Sequence, residues 1–166
     1  MQEPYFQKYL RLVDPLVPTR DQLVSQQERF IRWAKCIDAD CTTILHKPYT
    51  WTLSEVLKHL SDCERVFTFR ALWIARGESE ALASFDENRF LKNSGVMNSG
   101  WEMLLDEFHS VRLASVTLFG NLPDEAWTRR GMAGGYPVDV NMLCGMVYGH
   151  LEHHFSILKD RVGAST

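Results

Sequence analysis

Apolar residues recur along this chain at steps of three and four, in four long stretches parted by segments rich in proline, glycine and polar side chains. A brief first rhythm, Tyr5, Phe6, Tyr9, Leu10 and Val13, predicts a short leading helix that Asp14 and Pro15 stop. Thr19 then reads as the cap of a long helix, with Asp21 favourable in its first turn. Leu23, Phe30, Ile31, Ala34 and Ile37 lie along it, and it should end near Asp38. The next long segment opens on Thr52 and Glu55, a T-x-x-E capping box. Val56, Leu60, Cys63, Phe67, Ala71 and Ile74 form its stripe, and Gly77 supplies its terminator.

A third helix is expected from about Ser99, carrying Trp101, Leu104, Leu105, Phe108, Arg112, Ser115 and Leu118 on or near one face, and closing at Gly120 and Pro123. The fourth should start with Asp139 as its cap and run to Arg161. Three stretches lack the rhythm. Residues 39–50 contain Pro48, 78–98 read as a long crossover with room for a helical turn, and the glycine-rich 124–138 leaves room only for a small hairpin. Four amphipathic segments without a convincing strand predict an all-α four-helix bundle with a short N-terminal helix and long crossover loops. One domain over residues 1–166 is the expectation from length.

The fourth segment also carries the chemistry. Leu143, Val147, His150, His154 and Ile157 follow a 4-3-4-3 step, which puts His150 and His154 on the buried seam with His153 beside it. Two imidazoles at i and i+4 reach one cation without bending the backbone, and His153 at i+3 is also a permissible partner for His150. His59, two turns into the second long helix, is the candidate third ligand. Three protein ligands leave a coordination position open, which is what a catalytic ion needs. Cys63, four residues after His59, can face the same space, although a buried inert thiol is the plainer reading.

The bulk composition narrows the function classes. With 45% hydrophobic and 23% charged residues the chain is an ordinary globular one. A net charge of −3 without a basic, aromatic-interleaved stripe weighs against nucleic acid. No apolar run is long enough for a transmembrane helix, no secretory signal opens the chain, and Cys36, Cys41, Cys63 and Cys144 are scattered, so the expected compartment is the cytoplasm.

Beyond these patterns, particular stretches resemble a known family. They are W-T-L-S-E-V-L-K-H-L-S-D-C-E-R from Trp51, F-R-A-L-W-I-A-R-G from Phe69, S-F-D-E-N from Ser84 and G-H-L-E-H-H-F-S-I-L from Gly149. In order and spacing they resemble the DinB-like superfamily, and within it the YfiT-type metal-dependent hydrolases. The resemblance implies a four-helix bundle whose histidine triad, here His59, His150 and His154, binds a divalent ion, commonly Zn²⁺ or Ni²⁺. It further implies an enzyme that acts on a small molecule and activates water, as a hydrolase, or a low-molecular-weight thiol, as a transferase. A homodimer is expected for a bundle of this type.

One position departs from the family pattern: Leu151 stands where relatives often carry an acidic residue, and Glu152 follows it. Weaker catalytic candidates are Asp62 and Glu64, against the plainer reading that they sit on the solvated face or pair with Arg65. Arg70 and Asp86, matched to family motifs, are candidates to meet a charged substrate, against a structural ion pair. Tyr148 and Trp127 are candidates for the mouth of the site, and His46 and His109 are expected to be solvent-facing or locally bonded. The alternative function is a non-catalytic, metal-stabilised bundle for binding or dimerisation, favoured if His153 or Cys63 closes the site as a fourth ligand. In a metal-free interaction domain the histidines would only fill the core.

Overall fold

A computed structural model describes residues 3–163. A short α1 (Gln7–Leu10) precedes the long α2 (Thr19–Ala34), and a 3-10 turn at Ala39–Thr43 leads to α3 (Leu53–Ala75). The crossover holds a short α4 (Glu87–Lys92). Then come α5 (Trp101–Gly120), a hairpin of β1 (Arg130–Ala133) and β2 (Tyr136–Asp139), and α6 (Val140–Gly163).

Local chemistry explains most boundaries. Thr52 and Glu55 form the reciprocal capping box that starts α3, with the Glu55 amide donating to Thr52 Oγ1 at 3.2 Å and the Thr52 amide to Glu55 Oε2 at 2.7 Å. Gly77, at φ +87°, ends that helix in the left-handed conformation that favours glycine. Asp139 caps α6, its Oδ1 accepting from the Met142 amide at 2.8 Å. Two boundaries differ from the sequence reading. Thr19 is the first helical residue behind Pro18 rather than the cap, and α2 stops at Ala34, four residues short of Asp38. Its last carbonyls are taken instead: Ala34 O accepts from the Cys41-side turn residue Ile37 and from the Trp101 indole of α5 at 3.1 Å.

The glycine-rich stretch is a true hairpin. Gly134 and Gly135 occupy its two turn positions at φ +61° and +86°, as a type I′ turn requires. The crossover is pinned to it, because the Leu82 amide donates to Met132 O and the Gly134 amide to Leu82 O, each at 2.9 Å.

The four long helices pack in the order α2, α5, α3, α6 around the bundle, since α3 and α2 each pack against both α5 and α6. Helices consecutive in sequence, α2 with α3 and α5 with α6, therefore stand diagonally opposed. The long connections are what such diagonals demand. One apolar cluster gathers Phe30, Leu57, Leu104, Phe108 and Leu151, and a second gathers Leu23, Phe67, Phe119, Leu143 and Val147.

Between the clusters lies a buried polar layer. Arg112, with no exposed surface, donates from Nε to Glu64 Oε1 at 2.8 Å and from Nη2 to Glu64 Oε2 at 2.9 Å. Gln26 Oε1 accepts from Arg112 Nη1 at 2.6 Å, and the Ser115 hydroxyl donates to Glu64 Oε1 at 2.6 Å. Glu64 is thus neither solvated nor paired with Arg65. Arg112 and Ser115 of α5 draw its carboxylate inward, and Arg112 absorbs its charge.

Glycine sets where α1 lies. A Cβ on Gly149 would stand 2.0 Å from the Tyr9 carbonyl oxygen, so the α1 backbone rests directly on α6 there. At Gly145 the nearest atom is the flexible tip of Leu10, at 2.8 Å.

Two outcomes follow from this packing. In urea unfolding, Gly149→Ala is expected to lose about 2 kcal/mol, because α1 must move, whereas Gly145→Ala stays within about 1 kcal/mol of wild type, the helix-propensity gain offsetting a movable side chain. Replacing Arg112 by Met strands the Glu64 carboxylate in the core and should cost about 3 to 5 kcal/mol. The double variant Arg112→Met/Glu64→Leu should regain most of that loss in the same measurement.

Candidate metal centre

His59 stands on α3 and His150 and His154 on the neighbouring α6, so adjacent helices bring the three rings together. One nitrogen of each lies within 4.8 Å of one nitrogen of the other two. His59 Nε2 is 3.1 Å from His150 Nε2, and the ring centroids are 4.7 to 5.1 Å apart. Four ligands at about 2.0 to 2.1 Å around a tetrahedral zinc stand roughly 3.3 Å from one another. The His59–His150 spacing matches that figure, and a nitrogen of His154 lies within 4.8 Å of both, so the donor set fits a divalent ion once that ring closes in.

The surroundings hold these rings uncharged. Burial lowers the pKa of His59 to about 4 and that of His154 to about 3, the latter with added repulsion from His59, His153 and Lys8. His150, fully enclosed, is held well below its ordinary value by burial and then by His154 and His59. A neutral imidazole is the form that binds a metal, so burial has done in advance what a ligand set requires.

Aromatic rings fix the orientation. Trp51 packs on His59 with centroids 4.8 Å apart, Tyr9 meets His150 edge-on at 5.1 Å, and Phe67 meets it at 5.7 Å. The expected seam holds for Leu143, Val147 and His150, then drifts: Leu151, Phe155 and Leu158 are buried, while His154 and Ile157 are only partly so. A 4-3 repeat slips by about 20° per heptad on a straight helix, which carries His154 to the border of the buried face.

His153 and Cys63 fall outside the cluster of three. The His153 ring meets His154 edge-on and Tyr9 at a tilt, with centroids 5.2 and 5.6 Å apart. The Cys63 sulfur lies beside the His59 ring, 3.5 Å from Nδ1 and 3.7 Å from Nε2, and burial pushes its pKa up, leaving a neutral, unreactive thiol.

Beside the cluster a cleft of about 330 Å³ opens, with His150 and Cys63 in its wall together with Lys8, Phe67, Arg70 and Phe85. Of the weaker candidates, only Arg70 faces it. Asp62 pairs with Arg65 at 3.4 Å and Lys58 at 3.6 Å on the outside of α3. Asp86 caps α4, accepting from the Asn88 and Arg89 amides at 3.0 and 3.1 Å. Trp127 stacks on Phe119, and Tyr148 turns toward Arg29 and α2, so neither borders the cleft. His109 is bonded to Gln27 through Nδ1 at 2.7 Å, and His46 lines a separate pocket with Cys36 and Cys41. Glu152 reaches across to α2, where Arg29 pairs with it and Gln26 donates to it at 3.0 Å.

The sequence reading passed over Tyr9, Lys8 and Phe85. Gly149 was the available signal for the first two, since a glycine inside a helix beside the histidine motif marks a close backbone approach.

With this geometry in view, the sequence matches the DinB superfamily model over residues 22–158. The chain belongs to the DinB superfamily. Among solved structures this DinB protein is similar to YfiT from Bacillus subtilis, described as a probable metal-dependent hydrolase with an unusual four-helix bundle topology. The match has a TM-score of 0.71 at 14% identity and covers 98% of this chain and 90% of that one. It is also similar to a mycothiol-dependent maleylpyruvate isomerase, with a TM-score of 0.66 at 14% identity over 89% of this chain and 62% of that one. At such identities the likeness shows the fold. No curated protein matches the sequence. Among the described residues no helix is long and apolar enough to cross a membrane.

The lowered imidazole pKa values set a pH dependence. Unfolded histidines take up protons near pH 6.5 while His59 and His154 in the fold wait until about 4 and 3, so the unfolded state binds more protons in between. Stability of the metal-free protein is therefore complete above pH 6.5 and falls on acidification toward pH 4. Urea unfolding with a chelator present should show a loss on the order of 1 to 2 kcal/mol per buried ring between pH 7 and pH 5. A flat profile over that range would contradict the assignment of neutral, buried rings.

Proposed function

We propose that this protein is a divalent-metal-dependent enzyme in which His59, His150 and His154 hold Zn²⁺ or Ni²⁺ and a small molecule reacts on the ion's outward side. The observation that carries the reading is the convergence of three neutral imidazoles within 4.8 Å at the edge of a cleft. A bound divalent ion supplies Lewis acidity, lowering the pKa of water to about 7 and ionising a thiol outright. That chemistry serves a hydrolase or a transferase using a low-molecular-weight thiol.

The chain's own groups do the rest. Trp51 packs on His59, and Tyr9 and Phe67 on His150, which fixes the planes of those rings. No carboxylate lies in the cluster, so three imidazoles leave the site with the ion's full double charge. Cys63 and His153 standing outside the cluster favour an open site over a closed structural one. Glu64, consumed by Arg112, is not available as a base. The chemistry is assigned to a soluble catalyst in the cytoplasm, working as a homodimer on a small-molecule substrate.

Metal analysis tests this reading. Protein purified and dialysed against Zn²⁺ or Ni²⁺ should hold about one equivalent per chain, and the His150→Ala/His154→Ala variant should hold less than about a tenth of that. Retention of a full equivalent by the double variant would place the ion elsewhere. A wild-type protein that takes up neither metal would remove the proposal.

A further inference from the structure

Three arginines are buried in this bundle with no more than 4% of their surface exposed. Arg161 donates to the Trp51 carbonyl at 2.8 Å over the Tyr49 ring, and Arg112 and Arg70 are held in different ways. Arg112 has a carboxylate held on both arms of its guanidinium, as a buried charge ordinarily must. Arg70, 4% exposed, has none: its Nη2 donates to the Ala83 carbonyl at 2.7 Å, the Tyr5 hydroxyl is its other polar partner, and among the described residues no carboxylate comes within 4.0 Å. A desolvated guanidinium without a counter-ion is costly unless something else supplies the charge.

What Arg70 faces is the cleft beside the histidines. His59, Cys63, Phe67 and Arg70 succeed one another on α3 at steps of four, four and three, a single face of the helix. From His59 to Arg70 that face extends roughly 16 Å at 1.5 Å per residue. His150 borders one part of the cleft, Arg70 another, and the rings of Phe67 and Phe85 wall the space between. The Arg70 guanidinium lies 5.7 Å from the Phe85 ring centroid, which holds it in place without neutralising it. Lys8, brought in by α1, adds a second cation at the rim, while Glu87 adds a single negative charge.

We propose that Arg70 and Lys8 form the recognition site for a carboxylate on an elongated ligand whose apolar middle lies between Phe67 and Phe85. Arg70 supplies paired donors matching a carboxylate's two oxygens. Glu87 on the same rim disfavours a dianion, which selects a carboxylate over a phosphate. This inference rests on the metal-enzyme reading only for the far end of the ligand, the end that would react near His150.

The probes are 4-phenylbutyrate, its neutral amide 4-phenylbutanamide and 3-phenylpropylphosphonate, titrated into the full chain by calorimetry with and without Zn²⁺ at a pH above the phosphonate's second pKa, where it is a dianion. The acid should bind about tenfold tighter than the amide, as expected for one charge-assisted bidentate contact, and tighter than the phosphonate. Arg70→Gln should abolish the preference for acid over amide, Arg70→Lys should restore only part of it, and Glu87→Gln should tighten the acid. If Arg70→Gln does not fold, Lys8→Gln decides: the acid should weaken about threefold, as for an exposed charge, with the amide unchanged.

Equal binding of acid and amide, a preference that survives Arg70→Gln, or an acid indifferent to Lys8→Gln would overturn the inference. A phosphonate that binds more tightly than the acid would overturn the choice of carboxylate. A protein that takes up zinc but discriminates none of these probes loses this inference alone. One that discriminates them through Arg70 but takes up no metal loses the metal reading alone.

Discussion

Desolvation of imidazole governs the structure where α3 meets α6. Three rings in water would each be partly protonated near neutrality and would repel one another. Enclosed by Trp51, Tyr9 and Phe67, they lose the proton before they lose one another's company, and a separation of 3.1 Å between two ring nitrogens becomes tolerable. The site is therefore unstable toward acid and complementary to a cation, two faces of one electrostatic fact. Everything that shapes the bundle nearby serves to keep α3 against α6 at this depth. Gly149 lets α1 close over the rings from outside, and the Arg112–Glu64 pair ties α5 to α3 one turn further on.

Two polar systems cross the interior, and they contrast. The Arg112, Glu64, Gln26 and Ser115 layer is saturated with hydrogen bonds and separates the two apolar clusters, a structural element with nothing left to offer a ligand. The histidine cluster and the cleft beside it are deliberately incomplete. Their nitrogens and the Arg70 guanidinium have lone pairs or donors without a matching charge in the chain. The division also shows where two of the carboxylate candidates are engaged: Glu64 is paired in the core and Asp86 caps a helix.

The sequence disclosed the helices, the capping box at Thr52 and Glu55, the glycine stop at Gly77 and the pairing of His150 with His154, because each depends on neighbours within one or two turns. His59, far off in sequence, joined them as a candidate that the family resemblance supported. It did not disclose which helices are neighbours. The diagonal placement of α2 against α3 depends on contacts between residues far apart, such as Trp101 with the Ala34 carbonyl, which leave no local periodic trace. The end of α2 was misplaced for the same reason. Arg112 was visible on its helix face but its partner was not, since the inward turn of Glu64 is set by α5 rather than by α3. The hairpin was legible only as a glycine pair until Leu82 was seen to lie along it. Arg70 was noticed, but its lack of a carboxylate partner among the described residues belongs to the packed molecule alone.

X-ray absorption at the zinc edge of the loaded protein is the most direct measurement of the central claim, because it counts the atoms bound to the ion and weighs them. The account predicts three imidazole nitrogens at about 2.0 to 2.1 Å and one further light atom from solvent. In thiol-free buffer, a sulfur shell at about 2.3 Å, which a cysteine of the chain would then have to supply, or fewer than three imidazoles, would contradict it.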